Sequence, residues 1–409
     1  MKTLIKGGNV VFSKNNEILK QNIIIDNDKI SGFTSEIIVA DKVIDAKELY
    51  VFPGFIDMHA HFRDPGQLYK ENLKTGLKAA LRGGITTVLC MPNTNPPISN
   101  LKVIKDIYNR AKKLNLANLI ISACATKDRN GEDIYNYEEI LKYICAVSDD
   151  GNGIQNAKTL QNVLESCLNL NIPYLSHCQD ETLNTHIHES EELMVAREVI
   201  YSKLTSAKVH IQHISTEFSL KLIEFAKNNN INVSCEVCPH HIFLDETNIT
   251  KDGEFKMNPP LRYKNDRIAL VNGLKKGMID AIASDHAPHS QEEKKLNYNE
   301  ALFGVSGIEI MTRICFTKLM EYGLCINTIA DKFTKGPAKI LNLKNKGKLE
   351  CGFDADITIM DFNKKNIISS KNLVSKGKNI AFDGFRANLD IIYTIVGGNI
   401  KWQNGFLEK

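Results

Sequence analysis

The stretch Phe55-Ile56-Asp57-Met58-His59-Ala60-His61-Phe62-Arg63 opens the central part of this 409-residue chain and decides its fold. It begins as an apolar run and ends in two histidines that are separated by one residue. Alternate residues of a strand face the same side, so both histidines can point to the same side of a sheet. Two imidazoles and a carboxylate bind divalent zinc while leaving a position open for water. The stretch therefore suggests a metal site at the end of a buried strand.

Seven further apolar, β-branched runs follow, and helical spacing separates most of them. They lie at residues 85–91, 119–125, 145–149, 173–178, 208–214, 231–237 and 278–284. Eight strands that alternate with helices predict an α/β protein built on a (β/α)8 barrel of the TIM type. A doubly wound open sheet is the alternative, but no glycine-rich dinucleotide-binding turn follows the early strands.

The two ends of the chain have a different pattern, with short strand-like runs and turns at residues 1–52 and 346–409. Two β-rich ends around a different middle predict one small β-sandwich domain that both termini form together. Residues 53–345 then make the barrel, which needs about 250 residues.

Composition limits the partners and the location. The chain has 51 basic and 48 acidic residues without a basic stripe, so we expect no nucleic-acid partner. No run approaches the 18 or so apolar residues of a membrane span. The ten cysteines are irregularly spaced, unlike a secreted disulfide framework, and Cys235 and Cys238 are expected to be ordinary reduced packing. These features predict a cytoplasmic protein.

Polar residues recur where the predicted barrel strands end, and barrel enzymes carry their chemistry at those ends. Besides His59 and His61, the candidates are Asp150, His177, His213 and Asp285. Scattered core histidines have no reason to fall at the same end of several strands. The set therefore predicts a metal-dependent hydrolase.

Other polar residues near these ends are weaker candidates. Asp149 and Asp150 point opposite ways if both lie in the strand, so only one is expected to be a ligand. His240 and His241 could support the ligands from behind. The histidines that are not expected to be ligands are His186, His188, His210 and His286.

The stretch at 53–66, which contains the opening motif, resembles the signature of the dihydroorotases in the amidohydrolase superfamily. The resemblance continues in family order through 91–94, 149–151, 258–262, 284–289 and 352–357, and so covers essentially the whole chain. The two histidines and the Gly-Phe-Asp-Ala-Asp-Ile segment mark only the superfamily. Arg63 and the Pro-Asn-Thr and Ala-Pro-His elements narrow the resemblance to dihydroorotase.

This resemblance implies two zinc ions per subunit. The implied ligands are His59, His61 and Asp285 for one ion and His177 and His213 for the other, with Asp150 bridging them. Many relatives bridge the ions with a carboxylated lysine on the fourth strand. This chain has Ser148-Asp149-Asp150 there and is similar to the bacterial class I branch, in which aspartate takes that place.

The resemblance also implies an activity, the reversible cyclisation of N-carbamoyl-L-aspartate to L-dihydroorotate and water in pyrimidine (UMP) biosynthesis. Asp285 would be the acid and base, and Arg63 would hold the substrate carboxylate through two parallel hydrogen bonds. The implied substrate-binding residues are His61, Arg63, Asn93, Asn258, His289, Phe303 and Gly304. Gln179 departs from the family pattern, because an acidic residue is expected there.

Two alternatives to this activity stay open. One is a related cyclic amidase, such as a hydantoinase, dihydropyrimidinase or allantoinase, whose substrates lack the dihydroorotate carboxylate. The other is a catalytically silent scaffold for aspartate transcarbamoylase, which the presence of all six ligands disfavours.

Assembly and loop motion are predicted less directly. A homodimer is expected, because two-fold assemblies are the commonest, and a complex with aspartate transcarbamoylase is possible in addition to activity. Residues 290–301 are charged and lack apolar periodicity, so they could be a lid or an ordinary exposed connection.

Overall fold

The computed structural model describes residues 1–12 and 17–407. Parts of the predicted terminal ranges, residues 13–16 and 408–409, lie outside it. The strands, numbered in chain order, are β1 (Lys2–Phe12), β2 (Glu17–Asp26), β3 (Lys29–Thr34), β4 (Lys42–Asp45), β5 (Tyr50–Pro53), β6 (Phe55–Ala60), β7 (Ile85–Cys90), β8 (Asn118–Cys124), β9 (Ile144–Ser148), β10 (Tyr174–Ser176), β11 (Val209–Ile211), β12 (Val233–Val237), β13 (Ala281–Ile282), β14 (Ile357–Asp361), β15 (Asn366–Ile367), β16 (Arg386–Ala387), β17 (Asp390–Val396), β18 (Asn399–Gln403) and β19 (Phe406–Leu407). The helices are α1 (Leu73–Arg82), α2 (Leu101–Leu114), α3 (Ala157–Leu170), α4 (Glu189–Thr205), α5 (Glu217–Asn228), α6 (Pro239–Phe243), α7 (Lys264–Lys275), α8 (Gln291–Lys295), α9 (Met311–Glu321), α10 (Ile326–Phe333) and α11 (Lys335–Ile340).

The centre of the molecule is a parallel sheet of eight strands, β6 to β13, in sequence order. Every residue of β6 and β7 is buried, as expected for parallel strands that are covered on both faces. The end of β6 meets the segment that follows β13 through a parallel bridge between Ala60 and His286, and the His61 amide donates to the His286 carbonyl at 2.8 Å. The predicted α/β fold with a (β/α)8 barrel is confirmed.

The remaining long strands form one mixed sheet from both ends of the chain. Its order is β19-β18-β17-β14-β5-β1-β2-β3, and β4 pairs with β1. Strand β14 lies between β5 and β17, so N-terminal and C-terminal strands are interleaved. Ile5, Ile23, Ile357 and Ile395 from both ends are fully buried in one core. This interleaving supports the proposed division into residues 1–52 with 346–409 and residues 53–345.

Asparagines set the ends of several barrel helices. The side chains of Asn72, Asn100 and Asn156 accept backbone N–H groups at the starts of α1, α2 and α3. Asn115 and Asn171 end α2 and α3 in the left-handed conformation, which asparagine tolerates well. Among residues 1–12 and 17–407, no helix has the length and apolar character needed to cross a membrane.

Gly54 joins the terminal sheet to the barrel. A Cβ atom there would lie 2.2 Å from the Thr86 hydroxyl, so glycine is needed for this close approach. Phenylalanines from both units pack around the joint, with ring centroids 5.4 to 6.0 Å apart: Phe52, Phe55, Phe316 and Phe333.

Candidate active site

The carboxyl ends of the barrel strands bring a group of buried histidines and aspartates together. The group contains His59, His61, Asp150, His177, His213 and Asp285. Asp150 lies at its centre, with Oδ1 3.2 Å from His59 Nε2 and 3.6 Å from His177 Nδ1. Its Oδ2 lies 3.4 Å from His61 Nε2. The arrangement gives two sets of three closely spaced donors, and Asp150 belongs to both.

The neighbouring carboxylate, Asp149, faces away from this group. It accepts hydrogen bonds from the backbone N–H groups of Ala125 and Thr126 at 2.9 and 3.1 Å, and from the Thr126 hydroxyl. Asp150 Oδ1, in contrast, is buried without a hydrogen-bond partner among the described residues. Asp150 is therefore the aspartate whose oxygen is free to bind a ligand.

The electrostatics of the group favour a cation. Burial opposes a charged imidazole at His59, but Asp150, Glu236 and Asp285 outweigh it and raise its pKa well above the ordinary value. Burial also opposes a charged Asp150, yet His59 above all holds the pKa of that carboxyl well below its usual range. Asp150 thus stays ionised, and positive charge beside it is stabilised.

A cavity of about 150 Å³ opens beside the group. It is lined by His61, Arg63, Asn93, Asp150, Gly151, His177, His213, Asn258, Asp285, Ala287, Phe303 and Gly304. The Arg63 Nε donates to the Pro288 carbonyl at 3.3 Å, and the guanidinium forms no ion pair with any residue in the described ranges. Burial lowers the pKa of Arg63 below its ordinary value. A partly desolvated cation without a carboxylate partner favours an anionic ligand.

Comparison with known proteins identifies the family of this chain. The model of the amidohydrolase family matches residues 50–401. Dihydroorotases of Aquifex aeolicus (strain VF5), Acetivibrio thermocellus and Elusimicrobium minutum are 36%, 38% and 39% identical to this chain. The alignments cover 99%, 97% and 100% of this chain and 100%, 98% and 99% of the relatives. The chain belongs to the dihydroorotases of the amidohydrolase family.

Solved structures of hydantoinases and dihydropyrimidinases have the same fold as this amidohydrolase. The L-hydantoinase (dihydropyrimidinase) from Arthrobacter aurescens superposes with a TM-score of 0.91 at 21% identity, over 100% of this chain and 97% of the other. The dihydropyrimidinase from Brevibacillus agri NCHU1002 gives 0.88 at 22% identity, over 100% and 96%. At these identities the likeness concerns the fold alone.

The residues of this amidohydrolase fit a divalent metal ion. Imidazole nitrogens with one or two carboxylates are the donor set that zinc takes in hydrolases. The unpaired oxygen of Asp150 and the spacing of each donor set, within 4.8 Å, are what such an ion needs. The cluster can therefore hold a metal ion.

Side-chain amides orient two of the histidines of this amidohydrolase. Asn93 Oδ1 lies 2.7 Å from His61 Nδ1, which leaves Nε2 of that ring facing the cluster. Gln179 Oε1 lies 3.2 Å from His177 Nε2, and Asn258 donates to the same oxygen at 2.6 Å. Partners of this kind fix the tautomer of a metal-binding histidine. Gln179, the departure from the family pattern, thus has a positioning contact.

The sequence analysis missed Glu236, whose carboxylate contacts the imidazole ring of His59 in β6. Its Oε1 lies 2.6 Å from His59 Nδ1, and its Oε2 lies 3.2 Å from His210 Nε2. Both carboxylate oxygens are buried in the barrel. A signal was available, because Glu236 is the one carboxylate in the apolar run at 233–237, and a buried carboxylate needs a partner.

His289 lies behind the cavity and not on its wall. Its Nε2 is 2.7 Å from the Phe303 carbonyl, and its Nδ1 is 3.2 Å from Lys70 Nζ. Burial, together with Arg63 and Lys70, lowers the pKa of His289 to about 3, so the ring is neutral. Lys70 was not singled out from the sequence, since it follows no strand end.

The segment at 290–301 is attached to the cavity wall. Its helix α8 begins with a capping box in which Ser290 and Glu293 exchange hydrogen bonds. The buried Lys294 ammonium donates to the carbonyls of Lys256, Leu302 and Gly304 at 2.8 to 2.9 Å. Burial, with Lys256 adding to it, lowers the pKa of Lys294 to about 7.

A second group of possible donors, Cys238, His240 and His241, lies next to β12. Burial raises the pKa of the Cys238 thiol well above its usual value. His241 Nε2 is 2.9 Å from the Pro259 carbonyl. His241 thus contacts the residue that follows Asn258, which lines the cavity.

Proposed function

We propose that this chain catalyses the reversible cyclisation of N-carbamoyl-L-aspartate to L-dihydroorotate and water, a step of pyrimidine biosynthesis. The relatives named dihydroorotase align over at least 97% of the chain. The observation that carries the proposal is the Arg63 guanidinium, which lines the cavity beside the His/Asp cluster without an ion-pair partner in the described chain. The substrate carries a carboxylate beside its reacting ring, which such a cation would bind.

The proposed cofactor is zinc, with two ions per subunit bridged by Asp150. His59, His61 and Asp285 would hold one ion, and His177 and His213 the other. When bound, zinc would supply Lewis acidity, which polarises a carbonyl group and makes water a stronger acid. Elemental analysis of the zinc-loaded protein should give two zinc ions per chain. A single ion would contradict the bridge.

Asp285 is the proposed acid and base. In ring opening it would take the proton of the attacking water and pass it to the leaving ring nitrogen. In ring closure it would remove a proton from the ureido nitrogen. Its Oδ1 lies 3.0 Å from His61 Nε2 at the cavity, so it can reach both the cluster and a ligand.

The other cavity residues would position the substrate. Arg63 would hold the carboxylate, with Asn93 completing that clamp, and Asn258 would bond the ring. His61, Phe303 and Gly304 would form the adjoining wall. His289 would contribute through Arg63, because its own ring nitrogens contact Phe303 and Lys70.

A related cyclic amidase is the second candidate, since hydantoinases share the fold. Its neutral ring substrates would leave Arg63 without a partner. The initial rate of L-dihydroorotate opening by zinc-loaded protein, beside dihydrouracil, hydantoin and allantoin, separates the two. Preference for dihydroorotate supports the proposal, and preference for a neutral ring would replace it. Bound zinc with no turnover of any of the four would favour the scaffold.

We further propose a homodimer as the assembly, on the base rate of two-fold oligomers. A complex with aspartate transcarbamoylase and a cytoplasmic location stay predictions. Co-purification of the two proteins at equal concentration would test the complex.

A further inference from the structure

The outward side of two neighbouring barrel helices carries large apolar residues. We call this surface the α4–α5 face, and it contains Leu193, Ile200, Leu204, Phe218 and Phe225. Each of these side chains is between 51% and 65% exposed, although α4 and α5 pack against each other. Contiguous exposed apolar residues on adjacent elements mark an interaction surface.

The spacing of these residues makes two continuous rows. Leu193 and Ile200 are seven residues apart, which is two helical turns, and Leu204 lies one turn further on the same side. Phe218 and Phe225 on α5 have the same spacing of seven. By contrast, the exposed apolar residues Val39 and Phe406 lie outside this pair of helices.

The charges on α4 favour a second copy of the same helix. Glu189 lies at its start and Lys203 near its end, both are exposed, and neither has an ion-pair partner among the residues described. In an antiparallel pair, Glu189 of one helix would meet Lys203 of the other, while the helix dipoles also oppose each other. A parallel pair would place like charges together. The same reversal brings Leu193 to within one residue of the level of Ile200 of the other helix.

We propose that the α4–α5 face is the contact between two copies of this chain, related by a two-fold axis with α4 antiparallel to its counterpart. A two-fold interface must be complementary to itself, and a row with an acid at one end and a base at the other meets that requirement. The same axis would lay α5 on its counterpart. The proposal rests on the homodimer proposed above and not on the catalytic assignment.

Sedimentation equilibrium of the full-length, zinc-loaded protein gives its mass in solution. This mass tests whether the apolar residues of the α4–α5 face form the dimer contact. Wild type should be a dimer, and Ile200→Glu should weaken dimerisation by at least about 100-fold, because two carboxylates would be buried without partners. Val39→Glu, at an exposed apolar position outside these two helices, should leave the dimer intact. Phe225→Glu repeats the test on the other helix if Ile200→Glu does not fold.

Charge exchange tests the antiparallel arrangement. Lys203→Glu should weaken the dimer roughly threefold to tenfold at low salt, because each exposed pair contributes about 0 to 1 kcal/mol and occurs twice. Adding Glu189→Lys in the same chain should restore the wild-type association. No restoration would overturn the antiparallel pairing.

The outcomes of these experiments distinguish the α4–α5 face from the proposed homodimer and from the proposed activity. A dimer that persists in both apolar variants would overturn the α4–α5 face and keep the homodimer. A monomeric wild type would overturn both. Turnover of dihydroorotate, measured on the same samples, reports on the catalytic proposal alone.

Discussion

At the scale of single residues, the molecule places one arginine where a substrate anion would sit. Replacing Arg63 with methionine keeps an unbranched apolar stem and removes the charged guanidinium group. The KM for dihydroorotate should rise roughly 10- to 100-fold, because hydrogen bonds to charged groups contribute about 1.5 to 3 kcal/mol. Zinc content should not change, and Arg63→Lys should give an intermediate KM because it keeps the charge without the planar fork. An unchanged KM would remove Arg63 from substrate binding.

Asp285 is assigned to proton transfer, so its neutral isostere should lower turnover more than binding. Asp285→Asn should reduce kcat by about 10²- to 10⁴-fold, the usual contribution of a positioned acid or base. Because Asp285 is also a proposed ligand, the rate is to be divided by the zinc bound in the same sample. Near-normal kcat per bound zinc would assign the proton transfer to another group.

Glu236 should act through His59 on metal affinity. Glu236→Gln keeps the size of the side chain but loses the charge beside His59 Nδ1, so the zinc Kd should rise about 10- to 100-fold. Competition with a coloured chelator measures this Kd without any assay of activity. Glu71→Gln is the matched control, since Glu71 is a buried carboxylate beside His286, at 3.4 Å, away from the cluster. Equal effects of both variants would mean a general loss of stability.

At the scale of elements, the strands of the barrel could be predicted and the partners of their side chains could not. A parallel strand that is buried on both faces is a continuous apolar run, and each such run stands out in the sequence. The strand ends then give the six proposed ligands. Glu236 meets His59 across 177 residues of sequence, and no local pattern encodes that meeting. For the same reason the sequence could not show that Gln179 contacts His177.

The segment at 290–301 has its own expected pH dependence, through Lys294. The pKa of this ammonium is about 7 in the folded protein and near its ordinary value of 10.5 when unfolded. Between these values the unfolded chain binds more protons, so stability from this group rises as the pH increases from about 7 towards 10.5. Lys294→Met lacks this rise. The stability lost in the variant should therefore grow with pH, by at most about 1.4 kcal/mol per pH unit.

Denaturant unfolding of both proteins across this pH range measures the difference. Lys295→Met is the matched control, because Lys295 is the next residue and is exposed. If the loss in Lys294→Met is the same at all pH values, the ammonium is not held in the way described. Faster proteolysis within 290–301 in Lys294→Met alone would show that the three carbonyl contacts hold the segment to the wall.

At the scale of the whole molecule, the phenylalanines around Gly54 connect the terminal sheet and the barrel. Phe316→Ala should lower the free energy of unfolding by about 3 to 5 kcal/mol, the cost of removing a buried aromatic ring. Trp402, the single tryptophan, lies in β18 and reports on the sheet, while far-ultraviolet circular dichroism reports on the barrel helices. Both transitions should move together. Phe406→Ala, at a residue that is 77% exposed, should move neither.

The interleaving of strands from both ends of the chain has a consequence for biosynthesis. Strand β5 leaves the ribosome early, but its neighbour β14 is translated about 300 residues later, roughly 15 to 60 s at the usual elongation rates. During that interval one edge of β5 has no partner, and unpaired strand edges are templates for aggregation. We therefore expect the nascent chain to be more prone to aggregation before β14 has been translated than after it.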